Sequence, residues 1–137
     1  MTQIQFSTAS SITPLISDRP NEIKIGQQLL LPDSNNLEQV LETFKNQGAK
    51  FILLGIPEDI GPRANLGRSG STEGWQAFLS RFLNLQQNNF IRSNEIGLLG
   101  HIITDDLQRL SNDLDLATTS GLNTIRELVS QLDERVS

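Results

Sequence analysis

Apolar residues recur at helical spacing in three stretches of this 137-residue chain. Leu37, Val40, Leu41 and Phe44 fall at i, i+3, i+4 and i+7, with Asn36 as N-cap, Gln39 three residues on and Gly48 as the stop. Trp75, Phe78, Leu79, Phe82 and Leu85 form a second stripe behind Ser71 or Thr72 as cap, and read as core packing rather than a stacking surface. Leu122, Ile125, Val129, Leu132 and Val136, with Leu128 beside them, predict a last helix over about 121–136. Two unbroken apolar runs, 51–56 and 96–103, read as strands buried on both faces. Thr104 caps a short helix over 105–110, with Asp105 and Asp106 in the first turn, where the helix dipole favours acids. Residues 111–120 read as a polar loop. Residues 1–35 show no sustained period and carry Pro14, Pro20 and Pro32, so they read as an arm with a strand around 23–25.

From residue 36 the order is αβαβα. It predicts an α/β fold with a mainly parallel sheet and helices on its faces. Two strands are too few for such a sheet to be stable, so 36–137 is expected to be part of a larger α/β domain, preceded by the arm 1–35.

Composition narrows the function. A net charge of −5 with eleven scattered Lys and Arg argues against nucleic acid as partner. The absence of cysteine removes disulfides, thiolate metal sites and Cys nucleophiles. No run approaches the roughly 18 apolar residues of a membrane span, and the first residues lack a basic segment followed by an apolar core. A cytoplasmic protein with no membrane partner is expected.

The most informative stretch follows the first apolar run. Glu58 and Asp59 are succeeded by Gly61, Arg63, Asn65, Gly67, Arg68, Gly70 and Ser71. A Gly-rich loop leaving the C-terminal end of a strand occupies the edge where open α/β sheets bind ligands. Arg63 and Arg68 have guanidinium forks suited to carboxylates, with pairing to Glu58, Asp59 or neighbouring chain as the other reading. Glu58 and Asp59 read as braces of the loop; their other reading is an acid/base pair. The loop lacks the Lys-Ser/Thr ending of a phosphate loop and the G-x-G-x-x-G dinucleotide fingerprint. His101, with Asp105 and Asp106 four and five residues on, is the one metal-like grouping. A lone imidazole beside loop acids reads as a structural histidine.

The run from Leu54 through Pro57-Glu58-Asp59 and Arg63-Ala64-Asn65-Leu66-Gly67-Arg68-Ser69-Gly70 resembles the N-terminal motif of the arginase (ureohydrolase) superfamily, closest to its formimidoylglutamase-like branch. The later 96–103 run is similar to the family's second strand, and the terminal stretch 128–136 to the helix just before its first metal-ligand motif. This resemblance implies a three-layer α/β/α fold and hydrolysis of a guanidino or formimino C–N bond at a binuclear manganese centre. It implies Arg63, Asn65 and Arg68 as substrate-binding residues, with Glu58, Asp59, Gly67 and Gly70 supporting the loop. The family's ligand motifs (Gly-Gly-Gly-His, Asp-x-His-x-Asp, Ser-x-Asp-x-Asp) do not occur in this sequence. No catalytic or metal-ligating residue is therefore expected, and the chain by itself is expected to bind no manganese and to be inactive. The partners expected are an amidine or carboxylate small molecule for the whole enzyme, and a second copy of the chain. The alternative expectation is a non-catalytic module that binds a small carboxylate or a full-length partner.

Overall fold

Local signals place most of the elements. In a computed structural model that describes residues 3–137, they run β1 (Ile4–Phe6), α1 (Ala9–Ile12), α2 (Ile25–Gln28), α3 (Leu37–Asn46), β2 (Phe51–Gly55), α4 (Ile60–Ala64), α5 (Gly74–Phe82), β3 (Ile96–Ile102), α6 (Asp105–Asn112) and α7 (Thr119–Val136). The first two residues of the expected arm lie outside the described ones. The chain is mixed α/β, and its three strands pair in the order β1-β3-β2. Ser7 N donates to Leu99 O and Ile103 N to Gln3 O, so β1 runs antiparallel to β3. The sheet is mixed.

Contacts divide the chain into two units. One, the loop unit, comprises the first residues through Gln5, Gly55–Trp75 and Ile102–Ser137; the other, the sheet unit, comprises Phe6–Leu54 and Gln76–His101.

In the loop unit α4, α6 and α7 bury Ile60, Ala64, Leu107, Ile125, Leu128 and Leu132 together. The stretch 60–64, read from sequence as loop, is helical. Ile60 and Ala64 stand at i and i+4 and are buried, and Pro62 is tolerated because it sits in the first turn, where the backbone N–H has no intrahelical partner. On α7 the buried seam is Gly121, Ile125, Leu128 and Leu132, rotated from the expected stripe, and Val136 is exposed in the last turn. Thr118 caps this helix, its hydroxyl accepting from Gly121 N at 3.0 Å.

The sheet unit buries Ile25, Leu29, Val40, Phe44, Leu83, Leu98 and their neighbours. Asn36 caps α3 by accepting from Gln39 N at 3.1 Å. The stretch 1–35 contributes Ile12, Ile25 and Leu29 to the buried set. The strand expected at 23–25 shrinks to a single bridge between Lys24 and Gln86, since Ile25 opens α2.

Two further expectations are corrected. The apolar run at 51–56 is not buried on both faces: Phe51 is 63% exposed, Ile52 45% and Leu54 37%. The strand order gives the reason, because β2 lies at the sheet edge whereas β3 lies between two neighbours and is buried along almost its whole length. The aromatic stripe also divides. Leu79 is core, while Phe78 is exposed and stacks on Phe82 with ring centroids 5.0 Å apart. No helix among the described residues is long and apolar enough to cross a membrane.

Candidate functional site: the loop after the edge strand

The loop of residues 58–71 belongs wholly to the loop unit, and its geometry begins with Asp59. This residue is 7% exposed, so its carboxylate needs internal partners. Oδ1 accepts from Gln108 Nε2 at 2.8 Å and Oδ2 from Gly70 N at 3.1 Å. The Asp59 N–H in turn donates to Gln108 Oε1 at 3.1 Å, so one amide side chain on α6 satisfies two groups of the same residue. Glu58 faces other donors: its Oε2 accepts from Gly61 N at 2.7 Å. The two adjacent carboxylates thus diverge and act as separate braces, not as an acid/base pair.

Further bonds fix both ends of the loop. Thr104 Oγ1 donates to Pro57 O at 2.5 Å, and Ser71 Oγ to Glu58 O at 2.6 Å. Gly67 N donates to Pro62 O at 2.8 Å, and a Cβ at Gly67 would stand 2.9 Å from that same oxygen, so no larger residue fits without a shift. Gly70 has φ 120, a conformation L side chains rarely adopt.

Of the three expected substrate-binding residues, Arg63 is held by Ser111. Its Nη1 donates to Ser111 Oγ at 2.7 Å and its Nη2 to Ser111 O at 2.8 Å, tying α4 to the end of α6. Ser111 is fully buried, and its hydroxyl passes the chain on to Gln108 O at 2.8 Å. Asn65 ends α4, its N–H donating to Gly61 O and Pro62 O at 3.3 and 3.2 Å while its side chain is exposed. Arg68 is exposed, and among the described residues its guanidinium has no hydrogen bond or ion pair. Between Asn65 and Arg68 stands Leu66, with φ 61 and 71% exposure. A leucine held in the left-handed region costs about 1–2 kcal/mol, and this one presents an apolar side chain to solvent. Strain of this kind collects at functional loops.

Gln108, Ser111 and Arg135 were missed from sequence. Gln108 and Ser111 lie at i and i+3 on α6, beside and one turn along from buried Leu107, so polar residues on an inward face were the available signal. Arg135 forks onto Asp106, with both N–O distances 2.6 Å, and also donates to Ile103 O at 2.9 Å. The hydrogen bonds from Arg135 lower the Asp106 pKa from 3.8 to about 2, and the same pairing raises that of Arg135.

The manganese pair that the resemblance implies needs several carboxylates and imidazoles converging on one place. Glu58 and Asp59 are committed to N–H donors and Asp106 to Arg135; His101 is half-buried on β3. Among the described residues no group of three His, Cys, Asp or Glu is arranged to hold a metal ion. These residues do not fit a binuclear centre. Comparison with family models, curated proteins and solved structures returned no match to the chain.

Proposed function

We propose that this chain is the substrate-side part of a ureohydrolase-type enzyme that hydrolyses guanidino or formimino C–N bonds, with a three-layer α/β/α fold as its frame and the cytoplasm as its compartment. The observation that carries the reading is the brace from Asp59 to Gly70 and Gln108. It braces a Gly- and Arg-rich loop that follows an apolar strand while leaving Arg68 without a hydrogen bond or ion pair among the described residues. In this reading Arg68 takes the carboxylate of an amidine-bearing amino acid, with Asn65 beside it. Arg63 is a positioning residue that acts through Ser111. Manganese, the metal of this chemistry, takes its ligands from residues other than these. The exposed edge of β2 offers unpaired backbone groups and apolar side chains to a further strand, which supports association with a second copy or with the rest of such a domain.

A second reading rests on the same brace together with the poor fit to a metal pair: a non-catalytic module that binds a small carboxylate through Arg68. The two readings separate on the native gene product incubated with manganese and a series of guanidino and formimino amino acids. Manganese-dependent release of urea or formamide supports the hydrolase. A native product of 15.2 kDa that releases neither, yet binds a dicarboxylate, overturns the hydrolase and leaves the module.

A further inference from the structure

The sheet unit holds a second charged cluster, unrelated to the loop. Lys24 is only 4% exposed, although a lysine is seldom buried unless its charge is paired. Its ammonium donates to Ser17 O and to Asn84 Oδ1, the latter at 2.9 Å. Both acceptors are neutral. The ion pairs among the described residues are Lys50 with Glu95 and Arg135 with Asp106, so Lys24 has no counter-ion. An ammonium has three N–H donors, and the third is left for something else.

Lys24 borders a recess of about 390 Å³ whose rim carries Arg19 and Arg81. Neither guanidinium has a hydrogen bond or ion pair among the described residues. The single acid in the lining is Glu22, so three cations face one carboxylate in a chain whose net charge is −5. The floor is built firmly. Asn84 accepts from Ser17 N at 2.9 Å as well as from Lys24, and its amide donates to Leu15 O at 2.7 Å and Ser80 O at 2.8 Å. The turn that brings Arg19 and Glu22 to the rim closes through Glu22 N donating to Arg19 O at 3.3 Å, with Asn21 at φ 65. Asn is among the residues that adopt this backbone most readily.

We propose that this recess binds a phosphoryl group, with Lys24 at its floor and Arg19 and Arg81 closing on the outer oxygens. A phosphoryl dianion offers several acceptor oxygens to three cations, and guanidinium forks match its geometry. The recess is larger than one phosphate. Glu22 on the same rim opposes a second anionic group and accepts from a hydroxyl or ammonium. The ligand class is therefore inorganic phosphate or a small phosphorylated compound bearing a hydroxyl or amine.

The test is a titration of the whole chain with inorganic phosphate, and separately with phosphoethanolamine, at ionic strength held constant with chloride and followed by amide spectra. Saturable shifts are expected at 17–24 and 80–85, with affinity weakened by at least about tenfold in the Arg19→Ala/Arg81→Ala double variant. Both arginines are on the surface, so that variant keeps the fold, and Lys24→Met checks the floor independently. Tighter binding of phosphoethanolamine than phosphate marks a phosphorylated compound as the ligand; equal binding marks the free anion. Shifts of the same size with chloride alone, or unchanged affinity in the double variant, overturn the proposal. Shifts confined to the Arg68 loop overturn it too, without touching the carboxylate reading of that loop.

Discussion

In the loop unit Glu58, Asp59 and Arg63 each end on an internal partner, whereas in the sheet unit Lys24, Arg19 and Arg81 border a recess with no carboxylate paired to them. The sequence offers similar material in both places: a few charges, a proline, small and amide side chains. The difference lies in what the neighbouring elements provide. Helix α6 brings Gln108 and Ser111 to the loop, so its charges become struts and Arg68 alone stays available. Around Lys24 the neighbours are a carbonyl and the Asn84 amide, which hold the ammonium without neutralising it. A charge matched inside the fold does structural work; only a buried charge left unmatched, such as that of Lys24, is out of the ordinary.

The largest effect expected from this contrast is at Asp59. Asp59→Ala strips Gly70 N and Gln108 Nε2 of their acceptor in a buried place, at a cost of about 2–4 kcal/mol. Urea denaturation measures the loss, and hydrogen exchange of the 67–71 amides should rise with it. Lys24→Met, which deletes an unpaired buried charge along with two hydrogen bonds, is expected to stay within about 1 kcal/mol of the parent. Equal losses in the two variants would erase the distinction between strut and unmatched charge.

How much of this was legible beforehand depended on distance along the chain. The acid pair ahead of a Gly-rich stretch marked a braced loop because the donors at Gly61 and Gly70 are local. Gln108 and Ser111 stand 48 or 49 residues from the groups they hold, and no local pattern announces such a pairing. Helix α4 was hidden because Gly61 and Pro62 sit between Ile60 and Ala64, although those two keep helical spacing. The strands β2 and β3 look alike as apolar runs, yet only β3 has a neighbour on each side. Apolarity records what a strand can bury; its place in the sheet decides what it does bury. Lys24 sits in the sequence Ile23-Lys24-Ile25, which reads as a short strand, and its partner Asn84 lies 60 residues on.

A smaller effect separates the exposed ion pair from the buried brace. With its folded pKa lowered from 3.8 to about 2, Asp106 stabilises the protein fully above pH 3.8 and loses that contribution as pH falls from there toward 2. Its side chain is 47% exposed, so after solvent screening the contribution is about 1 kcal/mol. Acid titration of stability in Asp106→Asn should lack this step, and high salt should shrink it in the parent. A step of equal size in both proteins would assign it to another group.

Smaller again is the strain at Leu66. Leu66→Gly removes the side chain that disfavours φ 61 and is expected to raise stability by up to about 1 kcal/mol, since the flexibility glycine adds to the unfolded chain offsets part of the relief. If ligand binding weakens while stability rises, the strained leucine is part of the contact surface. A loss of stability would show that its side chain is held by contacts that outweigh the backbone strain.

In the proposed reading Arg68 is the cation of the loop that takes the ligand's carboxylate. Its most direct test is a titration of the parent and of Arg68→Ala with glutamate, formiminoglutamate and guanidino acids, read from the amide signals of residues 66–71 alongside the melting temperature. Saturable shifts are expected in the parent and their loss in the variant, with stabilities that agree within about 0.5 kcal/mol because the side chain is exposed. Shifts that persist without the guanidinium, or a loop silent to every such ligand, would contradict that reading.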